Sequence, residues 1–261
     1  MSSGRRLEIL PRLGIAPAVR ELVRARLDEA FAAAEADAVA GTSRPRRSGG
    51  APGVAVLDAA CGRATALVAY RHRIGHLVGA DLHRPASGAL RRLDTFVAVD
   101  LCRDREAFAS AAFDIVHCGF AVEHLADPAA AFHNIRAWLR PGGTLVLVTV
   151  NRRHPLVAAY LGLPAGPRAR LQRRVKARAA DAHPLVGACN DPGVLRRSLE
   201  AAGFEDVRMT SAGHLARAWS RWLPSYLLGL AGDLLAQPFP SRRSTLVVSA
   251  RVPREGRRAA T

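Results

Sequence analysis

The stretch LDAACGRAT, from Leu57 to Thr65, decides how this chain folds. Apolar residues lead into it from Val54, an acid follows at Asp58, and small residues then surround a single glycine, Gly62. This order predicts a buried strand that ends in a tight loop and continues into a helix. Because small residues let the backbone approach a ligand closely, such a loop suits a nucleotide-like cofactor.

Short apolar runs recur along the chain and alternate with helical segments. Their β-branched content and nearly continuous hydrophobicity are typical of parallel strands buried on both faces. The runs are VAVLDA (54–59), HLVGADL (76–82), TFVAVDL (95–101), FDIVHCGF (113–120), TLVLVTV (144–150) and STLVVSARV (244–252). The alternation predicts a doubly wound α/β fold with a mostly parallel sheet, ligands at the carboxyl ends of its strands, and a last, antiparallel strand that extends one edge.

Three helices are indicated by apolar periodicity or by capping residues. A helix over residues 17–37 is expected to bury one face. That face comprises Val19, Leu22, Val23, Leu27, Ala30 and Phe31. A second helix is predicted to begin at Asp127 and Pro128. Its predicted inner face comprises Phe132, Ile135 and Leu139. A third is expected between Asp191 as N-cap and Gly203 as terminator.

The composition is that of a globular protein with an unusual charge. Apolar residues make up 49% of the chain and charged residues 23%, yet the formal net charge is +16. Lys176 is the only lysine, so the excess comes from arginines, which favours a coding bias spread over the whole surface. The cluster RARLQRRVKAR (168–178) leaves a polyanionic partner, RNA or an acidic membrane surface, as the alternative.

Cysteine spacing and hydropathy favour a cytoplasmic protein. The four cysteines lack CxxC spacing, and we expect neither disulfides nor a metal site. They are Cys61, Cys102, Cys118 and Cys189. Pro11 and Arg12 interrupt the first apolar residues, so no signal peptide is expected. The longest apolar stretch, Trp222 to Ala236, contains Asp233 and is too short to cross a bilayer.

The loop discriminates between two classes of cofactor. A dinucleotide fingerprint would fall on Ala60, Gly62 and Thr65, and Thr65 is a poor third member. An alternative set of small residues is Ala60, Gly62 and Ala64. Asp58 would repel a pyrophosphate but attract a ligand that carries an ammonium and a sulfonium, as S-adenosylmethionine does. An NAD-dependent oxidoreductase is therefore the least favoured function.

Two further acids follow predicted strands on the same side of the sheet. Asp81 ends the second strand, 19 positions beyond Gly62, where a carboxylate can accept both hydroxyls of a ribose. Asp100 ends the third strand and offers an acceptor for an adenine amino group. Each acid alone is equally well explained as a helix cap or turn former. Together with Asp58, however, they place three acids at three successive strand ends, which favours a ligand site.

These motifs resemble those of the class I S-adenosylmethionine-dependent methyltransferases. VLDAACGRAT (56–65) resembles the first motif, GADL (79–82) the second, and the segment 113–151 resembles the fourth strand, helix and fifth strand of the small-molecule branch. The resemblance covers about residues 54–151 and implies S-adenosyl-L-methionine as the cofactor. The cofactor-binding residues that it implies are Asp58, Ala60, Gly62, Asp81, Leu82, Asp100, Leu101 and Cys118. Ala64 departs from the motif, and its additional methyl group is expected to tighten access to the cofactor.

The resemblance also places the reacting end near Cys118 and the turn that follows it. A general base is needed only for a weakly acidic acceptor such as a hydroxyl. His124 is the first candidate, Glu123 the second and His117 the third; the alternatives are that His124 packs the loop and that Glu123 holds it by hydrogen bonds. No proline precedes Cys118, which disfavours a nucleophilic cysteine, and no N/D-P-P-Y/F motif follows the strand, which disfavours nucleic-acid adenine as the acceptor.

Residues outside the motifs are expected to bind a small-molecule acceptor. We predict an N-terminal helix and linker over 1–52, and a methyltransferase domain over 53–261 in which 152–240 form an acceptor-binding or lid region. Helical spacing in this region predicts packing against the sheet, with an apolar pocket or peripheral membrane contact as alternatives. The residues with this spacing are Trp219, Leu223, Leu227, Leu230 and Leu234, with Trp222 and Tyr226 alongside. The rival functions are RNA methylation and ligand binding without turnover.

Overall fold

The computed structural model describes residues 18–40, 53–62, 65–85, 87–175, 186–187, 189–220 and 222–254; for Ser87 and 172–175 it describes the backbone alone. The strands are β1 (Val54–Ala59), β2 (Ile74–Asp81), β3 (Thr95–Ala98), β4 (Phe113–Gly119), β5 (Leu139–Val150), β6 (Glu205–Ala212) and β7 (Thr245–Arg251). The helices are α1 (Val19–Val39), α2 (Ser87–Leu90), α3 (Pro128–Trp138), α4 (Pro155–Gly162), α5 (Ala165–Val175), α6 (Pro192–Ala201), α7 (Leu215–Ala218) and α8 (Leu223–Ala236). Short 3₁₀ helices include Ala66–Arg73 and Val122–His124.

The seven strands form one sheet in the order β3-β2-β1-β4-β5-β7-β6. β1 pairs in parallel with β2 and β4, β2 with β3, and β4 with β5, whereas β7 is antiparallel to both β5 and β6. The predicted α/β fold with an antiparallel last strand is therefore confirmed. The strand order reverses between β1 and β4, and this switch point is where such sheets bind ligands.

Two layers of apolar side chains cover the faces of the sheet. On one face, α3 and α6 bury Phe132, Trp138 and Leu195 against the strands. On the other face, α1 buries Leu27 and Phe31, both completely inaccessible. The predicted first helix is confirmed, and burying each of these large side chains contributes about 1.5–3 kcal/mol to folding.

Two predicted elements end elsewhere than expected. Leu139 was predicted to lie on the inner face of a helix, but α3 ends at Trp138 and Leu139 begins β5 with extended dihedral angles. β3 ends at Ala98, so Asp100 lies two residues beyond the strand. The carboxylate of Asp100 accepts a hydrogen bond from the Cys102 amide nitrogen at 2.9 Å, which turns the chain away from the sheet.

The segment after the loop at Gly62 forms a 3₁₀ helix rather than an α-helix. It begins at Ala66, where the Thr65 hydroxyl accepts a hydrogen bond from the Leu67 amide nitrogen at 3.0 Å. Ala64 and residues 176–178 of the arginine cluster lie outside the described residues, as do most of the predicted linker and the first 17 residues.

Helices α4, α7 and α8 stand at the carboxyl edge of the sheet. α4 follows the end of β5, and α7 follows the end of β6, which runs in the same direction as β5 because both are antiparallel to β7. The prediction that the leucines of this region pack against the sheet is wrong for Leu223, Leu227 and Leu234, which are 45–54% exposed. Among the described residues, no helix is long and apolar enough to span a membrane.

Candidate cofactor and acceptor site

The loop after β1 folds back towards β2. Ala60 and Gly62 both adopt left-handed backbone angles, with φ of 56° and 49°. Between them, the Cys61 amide nitrogen donates to the Ala80 carbonyl at 3.0 Å. A β-carbon on Gly62 would meet nothing closer than 4.0 Å, so the glycine is needed for the left-handed backbone angle and not for space. Ala60 has a β-carbon and adopts the same left-handed conformation, which costs about 1 kcal/mol of strain.

Asp58, the penultimate residue of β1, is a buried carboxylate of which only one oxygen is hydrogen-bonded to the part of the chain that the structure describes. It is 2% exposed, and its Oδ1 lies 2.8 Å from His117 Nδ1 on β4. Its Oδ2 has no hydrogen-bond partner among the described residues. An unpaired buried carboxylate oxygen is costly, so this atom is expected to meet a donor from a ligand.

A small, open pocket lies beside this carboxylate. It is lined by Asp58, Cys61, Gly62, Thr65, Ala89, Arg92 and Leu93. Arg92 is a cation that the sequence analysis did not select, because no local motif marks it. The pocket therefore places a negative and a positive side chain beside the loop that the sequence indicated.

Asp81 at the end of β2 holds the same loop. Its Oδ2 accepts a hydrogen bond from the Gly62 amide nitrogen at 2.9 Å, and its Oδ1 accepts one from the His83 amide nitrogen at 3.1 Å. Each carboxylate oxygen can accept a second donor. Asp81 is therefore able to order the loop and still accept hydroxyl groups, while the neighbouring Leu82 is 61% exposed.

The loop after β3 is tied to itself and to α3. The Asp100 amide nitrogen donates to Asp104 Oδ2 at 2.8 Å, and Leu101 is buried with its carbonyl accepting from Asn134 Nδ2 at 2.9 Å. Asp100 thus forms a turn, and its predicted contact with an adenine amino group stays a prediction.

Cys118 is buried near the carboxyl end of β4. It pairs with Ala59 across the β1–β4 register, and burial raises the pKa of its thiol to about 12, with smaller effects from Glu123 and Asp58. A thiol with this pKa is neutral at pH 7, which agrees with the expectation that Cys118 is not a nucleophile.

The turn after β4 contains a contact that the sequence analysis missed. Phe120 adopts a left-handed φ of 54°, and its ring stacks on His214 with centroids 5.3 Å apart. A bulky residue in this conformation marks a strained position, and such positions are common at ligand sites. Burial lowers the pKa of His214 to about 4. No local pattern connects these two residues, because they come from opposite parts of the chain.

Glu123 and His124 occupy the 3₁₀ helix that follows. Glu123 is buried, and its Oε2 accepts a hydrogen bond from Thr149 Oγ1 at 2.7 Å. Its carbonyl also accepts from the amide nitrogens of Val186 and Gly187. These contacts favour the structural alternative for Glu123. His124 is partly exposed at the same edge of the sheet, and its role as a base stays a prediction.

A second buried polar group lies under α4 and α8. Asp233 accepts hydrogen bonds from Ser244 Oγ at 2.7 Å and from the Ala216 amide nitrogen at 3.0 Å. His154 is 1% exposed, and burial lowers its pKa while the charge of Asp233 opposes the shift. Asp233 is the only acid between residues 207 and 254, and this isolation within an apolar helix is the sequence feature that could have indicated a buried polar group.

Many described arginines pair with acids and do not form one basic face. The pairs include Arg26–Glu29, Arg73–Glu35, Arg140–Asp114, Arg153–Asp191, Arg208–Asp206 and Arg254–Asp37. They involve both sides of the sheet and its helices, which agrees with a diffuse charge excess rather than a nucleic-acid groove.

Comparisons with known proteins identify similar chains. A family model described as a methyltransferase domain matches residues 18–209. Ubiquinone biosynthesis O-methyltransferase of Aeromonas salmonicida is 31% identical over 176 residues, which cover 65% of this chain and 70% of that protein. The protein of the same description from Hahella chejuensis is 36% identical over 107 residues, which are 39% of this chain and 45% of that protein. The chain therefore spans less than half of the second relative.

Two solved structures share the fold at low sequence identity. One is described as a methyltransferase in complex with a methyltransferase activator from Haloferax volcanii, with a TM-score of 0.56, 16% identity, and coverage of 92% of this chain and 96% of that chain. The other is phosphoethanolamine N-methyltransferase 2 of Haemonchus contortus in complex with S-adenosylhomocysteine. Its TM-score is 0.51 at 16% identity, and the match covers 83% of this chain and 52% of that chain.

Proposed function

The chain belongs to the class I S-adenosylmethionine-dependent methyltransferases, and we propose that it methylates a hydroxyl oxygen of a small, hydrophobic metabolite. The observation that carries the cofactor site is Asp58 Oδ2, a buried carboxylate oxygen beside the small-residue loop for which the described residues supply no hydrogen-bond partner. The choice of oxygen is supported by the relatives described as O-methyltransferases. A cytoplasmic location forms part of the proposal.

The residues around the loop fit S-adenosylmethionine. Asp58 would hold its ammonium group, because a buried anion is stabilised by a cation that donates hydrogen bonds. Asp81 would accept the ribose hydroxyls, and Asp100 with Leu101 and Leu82 would border the adenine. Ala60 and Gly62 would let the backbone come close to the cofactor, and Cys118 would form an apolar wall. When bound, the cofactor supplies a methyl group on a sulfonium leaving group.

The remaining groups align the acceptor and handle its proton. Helices α4, α7 and α8 cover the carboxyl edge of the sheet, where they exclude water and position the acceptor. A hydroxyl is a weak acid, so its proton must leave as the oxygen attacks. We assign that proton to a ring nitrogen of His124, which is partly exposed beside the end of β4. Glu123 holds this turn through Thr149.

RNA methylation and binding without turnover remain the rival functions. RNA methylation is suggested by the net charge of +16 alone, and many of the described arginines pair with acids on different elements. Binding without turnover is suggested by Ala64, which lies outside the described residues. A competent cofactor site with base-dependent turnover would exclude the second rival.

The test is calorimetric titration of S-adenosylhomocysteine into the Asp58→Asn variant. Asparagine keeps the shape of the side chain but removes the charge, so we expect affinity to fall about 10- to 150-fold, the equivalent of a charge-assisted hydrogen bond. Asp114→Asn is the control, because Asp114 is likewise a hydrogen-bonded strand carboxylate, accepting from the Ala55 amide nitrogen, but it lies near the start of β4, at the opposite edge of the sheet. Unchanged affinity in Asp58→Asn would contradict the assignment of the site.

Turnover separates the role of His124 from that of the cofactor site. Transfer of labelled methyl from S-adenosylmethionine would be measured against a panel of hydroxylated aromatic and aliphatic compounds. We expect His124→Ala to bind S-adenosylhomocysteine like the parent and to lower kcat at least 100-fold. A kcat within threefold of the parent would show that His124 is not the base.

A further inference from the structure

Helix α8 exposes an uninterrupted apolar face. Its exposed residues are Leu223, Pro224, Leu227, Leu228, Ala231, Leu234 and Leu235. They include no charged or hydrogen-bonding side chain, and the five leucines are 45–77% exposed. Scattered exposed leucines are ordinary, but a contiguous set on one helix face marks an interaction surface.

The opposite face of α8 carries small or polar residues and one tyrosine but no leucine, which inverts the usual arrangement of a surface helix. Its buried residues are Ser225, Tyr226, Gly229, Asp233 and Ala236. A surface helix normally turns its leucines inwards and its polar residues to water. The leucine face of α8 is therefore better suited to contact with an apolar partner than to contact with water.

Contacts on the buried face prevent the helix from turning its leucines inwards. A β-carbon on Gly229 would lie 2.9 Å from the backbone of Ala216, so only glycine fits at this crossing. Asp233 is held by Ser244 Oγ and by the Ala216 amide nitrogen. Rotation of α8 would break both hydrogen bonds and bury a leucine where the space admits only glycine.

Aromatic residues and arginines border the apolar face. Trp222 and Phe239 lie at the two ends of α8 and are 60% and 54% exposed. Arg242 stacks its guanidinium on the Phe239 ring at 5.8 Å, and Arg217 is exposed on α7. The only acid in the sequence between residues 213 and 243 is the buried Asp233, so no exposed carboxylate of this segment offsets the charges of the exposed Arg217 and Arg242. The surface is therefore apolar at its centre and positive at its margin.

We propose that this face of α8 docks on the surface of an anionic lipid bilayer. Leucines inserted at the boundary of the acyl chains, aromatic rings at the head groups and arginines on lipid phosphates are the arrangement by which amphipathic helices lie on membranes. A second copy of the chain is the less suitable occupant. Symmetric pairing would oppose arginines to arginines in a protein of net charge +16. The proposal extends beyond methyl transfer and does not depend on the acceptor.

Sedimentation with lipid vesicles tests the proposal. The full chain would be mixed with vesicles of phosphatidylcholine alone and of phosphatidylcholine with phosphatidylglycerol. We expect binding to the anionic vesicles at least tenfold tighter than to the neutral ones, and weakened by salt. The variant Leu228→Glu/Leu235→Glu should bind anionic vesicles about 100-fold more weakly, because each leucine contributes about tenfold.

The matched control is Val39→Glu/Val68→Glu. It places the same two charges at exposed apolar positions on other elements, of which Val39 is 91% and Val68 44% exposed. We expect its vesicle binding to stay within threefold of the parent, and both variants to bind S-adenosylhomocysteine normally as evidence of folding. Absence of parental binding, or equal loss in both variants, would overturn the proposal. A parental dimer that the leucine variant dissociates, without vesicle binding, would replace the bilayer by a second copy.

Discussion

Asp81→Ala is the perturbation that connects the loop geometry to cofactor affinity most directly. In the structure, the carboxylate of Asp81 accepts hydrogen bonds from the amide nitrogens of Gly62 and His83. Alanine removes both of these acceptors and also the acceptor proposed for the ribose hydroxyls. The variant should therefore lose cofactor affinity through one direct effect and one effect on the order of the loop.

The magnitudes of the two effects differ. Loss of the charge-assisted bonds to a ribose costs about 2–4 kcal/mol, or about 30- to 1,000-fold in affinity. The ties to Gly62 and His83 are partly exposed, so water replaces them in the variant, and the free energy of unfolding should fall by only about 1–2 kcal/mol. Asp81→Asn should fall between the parent and the alanine variant, since its amide keeps one acceptor oxygen.

Calorimetry with S-adenosylhomocysteine and urea unfolding of the same samples measure both quantities. Asp94→Ala is the matched control, because Asp94 accepts from the Leu77 amide nitrogen at 2.7 Å but lies before β3, at the opposite edge of the sheet. It should lose similar stability and keep the parental affinity within about twofold. Parental affinity in Asp81→Ala, or an equal loss in Asp94→Ala, would refute the reasoning.

Three other expectations follow from burial and charge. Burial holds the pKa of His214 at about 4, against about 6.5 in an unfolded chain. The unfolded state therefore binds more protons between these values, and stability present above pH 6.5 should fall by up to roughly 3 kcal/mol as pH approaches 4; urea unfolding of His214→Gln should show a flatter dependence. Native Cys118, with a pKa of about 12, should resist iodoacetamide at pH 8 by mass spectrometry, and Cys118→Ser should retain turnover. Binding of tRNA should be weak and vanish at moderate salt in a filter assay, whereas saturable, sequence-dependent binding at physiological salt would restore an RNA acceptor.

Local sequence signals determined the main elements of this protein. Asp127 and Asp191 cap their helices as predicted, through bonds to Ala130 and to Gly193, because an N-cap depends only on residues two or three positions away. The apolar runs became strands because a sheet covered on both faces buries them, but the expected burial is wrong for β3, an edge strand in which none of the residues Thr95–Ala98 is buried. The proximity of Gly62 and Asp81 was also predictable, since neighbouring parallel strands end at the same edge.

Contacts between distant segments were decided by tertiary structure alone. The bond from His117 to Asp58 joins residues 59 positions apart and depends on the register of β1 with β4. The periodicity of leucines in α8 predicted a helix correctly but the wrong buried side, because the close crossing at Gly229 and the hydrogen bonds of Asp233 turn the polar side inwards. Periodicity measures only how residues repeat around a helix axis, whereas the orientation of the helix is determined by the segments that it packs against.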